Sequence, residues 1–329
     1  MTPPLALALG DPAGVGPEIA AKAWERREAE GLSPFFAVGA PESVSAVWNG
    51  PIEVVAGPDD AAACFRRALP VIRIDGGGES APGRPTLEGA RNSLDSLELA
   101  VGLTRSGAAC ALVTGPVSKA QLYAIGFTHP GQTEFVAERC GIAGDMVAMM
   151  LAGPTLRTVP VTTHVPLRDV PNLLTTELIV SRGRTTIRGL RRQFGIERPR
   201  IAVAGLNPHA GEDGALGREE IDVVIPAIER LREEEADIVG PLAADGMFHP
   251  RMRATYDAAL CLYHDQALVP LKTLHFDEGV NITLGLPIVR TSPDHGTAFA
   301  IAGQNRAEPG AMIAALRMAA SCARRMAAA

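Results

Sequence analysis

The chain has 329 residues, 47% hydrophobic and 21% charged, which is typical of a globular protein with a large core and excludes disorder as the main state. The net charge of −6 argues against general binding to nucleic acid or anionic membranes. The sequence contains neither an apolar run of roughly 18 residues, as a membrane span needs, nor the basic segment of a signal peptide, so we expect a cytoplasmic protein.

Short apolar runs alternate with longer amphipathic segments along the chain. The run LALAL at 5–9 predicts a buried strand that stops at Gly10, and Pro17 with Glu18 opens a helix. Further runs predict strands: FFAVG, IEVVAG, VIRID, ALVTG, the pair MVAMMLAG and LRTVPVTT, RIAVAGL, YDAALCLY and VNITLGLPIV. Helical spacing is found at 87–108, 175–195, 218–236 and from Gly310 onwards. Alternating strands and helices predict an α/β protein with a mostly parallel sheet.

Cysteine usage agrees with an intracellular location. The five cysteines are widely spaced and form no CxxC motif; they are Cys64, Cys110, Cys140, Cys261 and Cys322. Buried thiols in a reducing cytoplasm are the natural interpretation.

A domain boundary near residues 126–130 is plausible because Gly and Pro cluster in GFTHPGQ.

Three histidines each follow an apolar run. His164 ends VPVTTH, His209 follows VAGLNP, and His264 follows ALCLY. Ligands of open α/β sheets gather beyond the carboxyl ends of strands, and neutral imidazole is a common ligand for divalent metal ions. Any one of these histidines alone is more often a structural loop residue. The three together favour a metal site with an open position for substrate.

Candidate anion-binding residues follow other predicted strands. TGPVSKAQL places Ser118 and Lys119 at a strand-to-helix turn, where backbone N–H groups are unsatisfied. Lys272, Asn281 and Arg290 flank or end apolar segments. Each alone is ordinarily a solvated surface residue, whereas a cluster of them would hold a carboxylate or phosphate.

Two glycine-rich stretches allow close approach of the backbone. In GDPAGVGPE, the spacing of Gly10, Gly14 and Gly16 does not match GxGxxG, so we reject a standard dinucleotide fingerprint. A tight turn near an active site and a turn without a ligand both fit this stretch. The stretch RTSPDHGTAFAIAG at 290–303 fits either a loop that approaches a flat ligand or an ordinary loop before the last helix.

Eight stretches in the same order closely resemble the PdxA family of pyridoxal phosphate biosynthesis: GDPAGVGPEI, TGPVSKA, GQTEF, TTHVPLRDV, LNPHAGE, YHDQALVPLK, GVNITLGLP and RTSPDHGTAF. They run from residue 10 to residue 299 and so cover nearly the whole chain. The loop DHGTAFAIAG also resembles the nucleotide loop of isocitrate and isopropylmalate dehydrogenases, which share the fold of that family.

The resemblance implies two α/β domains with a central cleft and a mostly parallel sheet, in the manner of isocitrate and isopropylmalate dehydrogenases. Residues 1–127 plus 277–329 would form the nucleotide-side domain. Residues 128–276 would form the domain for metal, substrate and dimerisation. A homodimer with the active site at the subunit interface is implied, with no nucleic acid or membrane partner.

The resemblance also implies the site residues. One divalent metal ion per subunit (Zn²⁺, Co²⁺ or Mg²⁺) would be held, with ligands from both subunits, by His164, His209 and His264. The implied substrate contacts are Gln132, Thr133, Lys272, Asn281 and Arg290. NAD or NADP would bind at Asp294, His295, Gly296 and Thr297. The candidates for proton transfer or for orienting a ligand are Asp245, Asp265 and Lys272.

The implied reaction is the NAD(P)-dependent oxidation of 4-phosphooxy-L-threonine to 2-amino-3-oxo-4-phosphooxybutanoate, which loses CO₂ to give 3-amino-2-oxopropyl phosphate. An alternative is oxidation of 4-phospho-D-threonate or 4-phospho-D-erythronate in sugar-acid catabolism, because the same motifs occur there. A non-catalytic sensor of a metal or phosphometabolite is a third interpretation.

Two positions depart from the pattern of the family. Gln132 stands where that family often has His, and Gln can form hydrogen bonds but cannot carry a proton charge. We therefore expect a binding role at this position. Pro293 stands where Val is frequent, which stiffens the loop.

Overall fold

The computed structural model describes residues 2–75, 81–234 and 236–328. The chain divides into two compact units, which are Met1–Gly141 with Leu286–Arg324 and Ile142–Gly285 with Arg325–Ala329. The domain limits inferred from the sequence, at 127/128 and 276/277, stay a prediction.

In the described part of the first unit, six strands form a parallel sheet. Numbered along the whole chain, they are β1 (Leu5–Ala8), β2 (Phe35–Gly39), β3 (Ile52–Val54), β4 (Leu69–Arg73), β5 (Leu112–Thr114) and β12 (Arg290–Pro293). Their spatial order is β3-β4-β2-β1-β5-β12, and each neighbouring pair is parallel. Strands β1, β2 and β5 are buried along their whole length, as expected for a parallel sheet covered on both faces.

The helices of the first unit connect these strands. They are α1 (Gly16–Glu25), α2 (Pro41–Ser45), α3 (Pro58–Cys64), α4 (Leu87–Arg105), α5 (Lys119–Ala124) and α6 (Gln132–Arg139). A 3₁₀ turn at Phe299–Ile301 precedes the last helix, which is α13 (Gly310–Ala328).

The second unit contains a mixed sheet. Its strands are β6 (Ala148–Ala152), β7 (Arg157–Pro160), β8 (Arg200–Ala204), β9 (Asp237–Leu242), β10 (Ala258–Cys261) and β11 (Val280–Leu284). Their order is β11-β6-β7-β10-β8-β9. Strand β6 is antiparallel to β11 and to β7, whereas β7, β10, β8 and β9 pair in parallel.

Helices and short turns join the strands of the second unit. The helices are α7 (Val170–Leu173), α8 (Thr176–Phe194), α9 (Ile225–Leu231), α10 (Ala244–Met247), α11 (Pro250–Arg253) and α12 (His264–His275). The 3₁₀ turns are Gly144–Met146, Leu167–Asp169 and Pro208–Gly214, and Glu220–Val224 is a π-helical turn.

Packing of α12 fixes the start of that helix, where His264 lies. Its residues Ala267 and Leu271 are fully buried in an apolar cluster that also contains Leu151, Ala202 and Cys261 from the sheet. Burial of apolar side chains stabilises the helix by roughly 25 cal/mol per Å². The helix therefore holds its first residue at the carboxyl end of β10.

The α/β class with a mostly parallel sheet is confirmed. Among the described residues, no helix combines the length and apolar character that crossing a membrane requires. The five cysteines carry free thiols, and Cys64, Cys261 and Cys322 are buried.

Several elements differ from the sequence-based expectation. The stretch 290–303 is not a loop throughout, because Arg290–Pro293 form buried strand β12. The sequence pattern did not predict this strand because its side chains are polar. In the interior Thr291 donates a hydrogen bond to the carbonyl of Ala315 at 3.0 Å. The helix expected over 218–236 is shorter, since α9 ends at Leu231. Strand β9 and helix α12 were not anticipated.

The glycine that ends α8 provides a test of this fold. Gly195 has φ +68°, so Gly195→Ala should lower the free energy of unfolding by about 1 kcal/mol, because a Cβ disfavours the left-handed conformation. Gly102 lies within α4, where a Cβ would meet open space. Gly102→Ala should therefore raise the free energy of unfolding by roughly 0.5–1 kcal/mol. Urea unfolding would measure the free energy of unfolding of both variants. Changes of the same sign in that quantity would contradict this account.

Candidate functional site

A buried guanidinium lies at the first position of β12. Arg290 is 4% exposed. It donates hydrogen bonds to the hydroxyl of Thr114 at 2.8 Å, to Oε1 of Gln132 at 3.2 Å and to the hydroxyl of Thr133 at 3.3 Å. Three predicted substrate contacts, Gln132, Thr133 and Arg290, thus lie together in the first unit.

Arg290 remains a cation in this setting. Burial lowers the pKa of Arg290 to about 10, and the nearby carboxylate of Glu134 opposes that shift. The group is therefore protonated at neutral pH. Gln132 is also the first residue of α6, where unsatisfied backbone N–H groups favour negative charge. A guanidinium beside such a helix end is suited to a carboxylate or phosphate ligand.

The side chain of Gln132 acts as both donor and acceptor. Its Nε2 donates to the carbonyl of Gly115 at 3.1 Å, while its Oε1 accepts from Arg290. A neutral imidazole likewise offers one donor and one acceptor. This explains how Gln occupies a position where the resembled family often has His. A charged imidazolium could not accept from Arg290, so the geometry favours a neutral binding group.

The predicted cofactor-binding stretch packs against the glycine-rich loop that follows β1. The backbone N–H of Val15 donates to the carbonyl of Thr297 at 3.0 Å. A Cβ at Gly14 would lie 3.0 Å from that oxygen, so a side chain there would crowd this contact. His295 and Gly296 are exposed, whereas Asp294 and Thr297 are half-buried.

Two buried acids of the first unit, Asp11 and Glu18, were not among the candidate site residues inferred from the sequence. Asp11 accepts from the backbone N–H of Ala13 at 3.0 Å, and burial raises its pKa. Glu18 accepts from the backbone N–H of Ala307 at 3.0 Å and from Lys22 at 2.9 Å. Both lie in GDPAGVGPE, where acids among glycines and prolines were a signal available in the sequence.

The second unit brings two predicted metal ligands together. His264 begins α12 after β10, and His164 lies four residues after the end of β7 at Pro160. Because β7 and β10 are adjacent and parallel, their carboxyl ends meet at one edge of the sheet. The two imidazole centroids are 5.5 Å apart with their planes at 45°.

These histidines border a cavity of ≈ 220 Å³. Its lining residues are Thr163, His164, Val165, Leu167, Val170, Tyr263, His264 and Asp265. The apolar part of this lining is formed by Val165, Leu167 and Val170. Leu167 is 66% exposed, so part of it faces solvent in the single chain.

The carboxylate of Asp265 orients His264. Its Oδ1 lies 2.7 Å from Nδ1 of the imidazole. An accepting carboxylate places the proton on Nδ1, which leaves Nε2 as the basic nitrogen that binds metal ions. The side chain of Asp265 is 76% exposed, so this pair contributes little to stability. Asp245 lies exposed in α10, which packs against the turn that carries His209.

His209 lies exposed in the turn Pro208–Gly214. Within the described ranges of one chain, no group of three or more His, Cys, Asp or Glu side chains could hold a metal ion. A single chain thus pairs His164 with His264 but does not complete a site with His209. The three-histidine site stays a prediction.

Lys272 and Asn281 lie in consecutive elements of the second unit. Lys272 is half-buried in α12, and Asn281 lies in β11 opposite Leu151. Among the residues that the structure describes, Oδ1 of Asn281 is buried without a hydrogen-bond partner. Such an atom costs about 1–3 kcal/mol, and a donor on a bound ligand would remove that cost.

Comparisons with known proteins identify the family of this chain. The family model described as pyridoxal phosphate biosynthetic protein PdxA matches residues 36–319. The chain is 59% identical to 4-hydroxythreonine-4-phosphate dehydrogenase of Zymomonas mobilis over 97% of this chain and 96% of that protein. It is 54% identical to the protein of that name from Erythrobacter litoralis over 98% of each. The crystal structure of 4-hydroxythreonine-4-phosphate dehydrogenase from Klebsiella pneumoniae superposes with a TM-score of 0.88 at 34% identity, covering 98% of each chain. The chain therefore belongs to the PdxA family.

Proposed function

We propose that this protein is a metal- and NAD(P)-dependent 4-hydroxythreonine-4-phosphate dehydrogenase of pyridoxal phosphate biosynthesis. It would oxidise 4-phosphooxy-L-threonine to 2-amino-3-oxo-4-phosphooxybutanoate, which then loses CO₂. The full-length similarity to relatives of that name carries the proposal. The buried cation of the first unit and the histidine pair of the second support it. A cytoplasmic location stays a prediction.

Recognition of the phosphorylated substrate is assigned to fixed cationic and polar groups. The guanidinium of Arg290 supplies the positive charge. Its orientation is set by hydrogen bonds to Thr114, Gln132 and Thr133. Because these contacts are already formed, little side-chain entropy is lost when an anion binds. Lys272 and Asn281 are the other proposed substrate contacts, the latter through its unsatisfied oxygen.

The donor set of the histidine pair fits a divalent metal ion. Imidazole suits Zn²⁺ and Co²⁺, whereas Mg²⁺ prefers oxygen ligands, so His164 and His264 favour the first two ions. We assign His209 of a second subunit as the third ligand in a homodimer. When bound, the ion would supply positive charge beside the hydroxyl that is oxidised.

A residue of this chain would accept the proton that is released on oxidation. Loss of hydride from C3 leaves a ketone only if the hydroxyl proton also departs, so a base must accept it. Asp245, Asp265 and Lys272 are the proposed candidates, and Gln132 is not, because an amide does not accept a proton at neutral pH. Asp265 would also keep the imidazole of His264 oriented.

The loop that contains Asp294, His295, Gly296 and Thr297 is proposed to bind NAD or NADP, which would supply the hydride acceptor. Its contact with the glycine-rich loop after β1 fixes the backbone at Thr297. Gly296 is exposed and has no side chain, so a flat ligand can approach its backbone closely.

The first test is NAD(P)H formation by Zn²⁺- or Co²⁺-loaded protein with three substrates offered separately. We expect 4-phosphooxy-L-threonine to be oxidised with the highest kcat/KM. A preference for 4-phospho-D-threonate or 4-phospho-D-erythronate would assign the protein to sugar-acid catabolism instead. Absence of NAD(P)H formation with all three would favour a sensor.

The role of Arg290 can be tested by substitution. Arg290→Lys keeps the charge but loses the planar set of donors, so kcat/KM for the phosphorylated substrate should fall roughly 10–100-fold. Arg317→Lys is the matched control, because Arg317 is a half-exposed arginine of the first unit paired with Glu30. Steady-state kinetics that show equal losses for the two variants would reject the role assigned to Arg290.

The shared metal site predicts complementation between inactive subunits. His209→Ala and His264→Ala proteins should each be inactive alone, since each dimer then lacks a ligand at both sites. After mixing and random reassociation, half of the dimers contain one intact site, so activity should reach about a quarter of the wild-type value. A mixture that stays inactive, although mixed dimers are shown to form, would place all three ligands in one subunit.

A further inference from the structure

The turn that carries His209 has an unfavourable backbone conformation. Six consecutive residues have positive φ: His209 (55°), Ala210 (53°), Gly211 (81°), Glu212 (42°), Asp213 (53°) and Gly214 (93°). Four of them have a Cβ, which disfavours this left-handed region. The surrounding structure must therefore hold the turn in place.

A buried carboxylate lies beneath this turn. Glu220 is 2% exposed and begins the π-helical turn Glu220–Val224. Its Oε1 accepts from the backbone N–H groups of Leu206 at 2.7 Å and Asn207 at 2.8 Å. Its Oε2 accepts from the side-chain amide of Asn207 at 3.0 Å.

The same carboxylate touches the turn itself. A Cβ at Gly211 would lie 2.6 Å from Oε2 of Glu220. A Cβ at Gly205 would lie 3.3 Å from Oε1 and 2.8 Å from Cα of Ala210. The carbonyl of Asn207 accepts from Ala210 at 3.1 Å, which links the residue held by Glu220 to the turn. Glu220 thus lies against the chain on both sides of His209, at Asn207 before the turn and at Gly211 within it.

The imidazole of His209 has little other support. Its Nδ1 lies 3.4 Å from Oε2 of Glu212, and the two side chains are 69% and 61% exposed. An exposed pair at this distance does not fix a side chain. The backbone of the turn therefore decides where the imidazole points.

We propose that Glu220 is a positioning residue for metal binding, which holds the left-handed turn so that His209 is presented as a ligand. The inference rests on the proposed function, because it takes His209 as the third ligand. Glu220 touches neither metal nor substrate and acts through Asn207 and the turn.

Glu220→Gln tests this role, with Asp222→Asn as the matched control. Both replace a carboxylate by its amide, but Asp222 is exposed and pairs with Arg218. We expect Glu220→Gln to weaken Zn²⁺ and Co²⁺ binding about 10–100-fold in chelator competition, as outer ligand partners generally do. In metal-free protein, amide hydrogen exchange over 206–216 should become faster. Asp222→Asn should change neither quantity.

A double-mutant cycle separates positioning from general destabilisation. If Glu220 acts through His209, then His209→Ala and His209→Ala/Glu220→Gln should bind metal with equal affinity. An added loss in the double variant, or wild-type affinity and exchange in Glu220→Gln, would overturn the inference. Should Glu220→Gln fail to fold, Asn207→Ala removes the linking amide while the buried carboxylate stays, and it must show the same faster exchange and weaker binding.

The two proposals can fail separately. If His209→Ala binds metal as tightly as the wild type, the three-histidine site is wrong, and the role of Glu220 is wrong with it. If His209→Ala loses metal affinity while Glu220→Gln retains it, the metal site stands and only the positioning role is rejected.

Discussion

A charged side chain that is buried from water must find hydrogen-bond partners, and this constraint shapes the functional loops of both units. Glu18 ties the segment near Ala307 to α1, and Arg290 joins β12 to the start of α6. Glu220 binds the backbone at Leu206 and Asn207. The first two contacts join segments that are remote in the chain, whereas Glu220 binds within the segment between β8 and β9. In each case a loop is held by a charge that would be costly to leave unsatisfied.

The parallel arrangement of strands supplies the second condition. In the second unit, β7 and β10 run side by side, so the residues beyond their carboxyl ends are neighbours although about 100 positions separate them in sequence. The cavity between His164 and His264 forms there. The apolar packing of α12 then holds His264 with its ring toward Asp265. Sheet topology brings the two histidines close, and the carboxylate of Asp265 orients one of them.

The positions of the helices and strands show which elements a local sequence pattern predicts and which it misses. Local sequence predicted α4 and α8 to within three residues, because their apolar spacing is regular and Thr86 and Thr175 cap them. It missed α12, in which Pro270 lies inside the helix, and β12, in which Arg290 and Thr291 are buried polar residues. Both elements depend on partners distant in the chain, which a local pattern does not contain.

By itself, the sequence determined the α/β class, the alternation of most strands and helices, and the residue types suited to a metal ion and an anionic substrate. These follow from periodicity and from side-chain chemistry, which are local properties. Only the tertiary structure decided that Arg290 is buried against Gln132 and that His164 meets His264 while His209 stands apart in a left-handed turn. Distance, burial and backbone strain arise when remote segments pack together, and for that reason they could not be obtained from spacing along the chain.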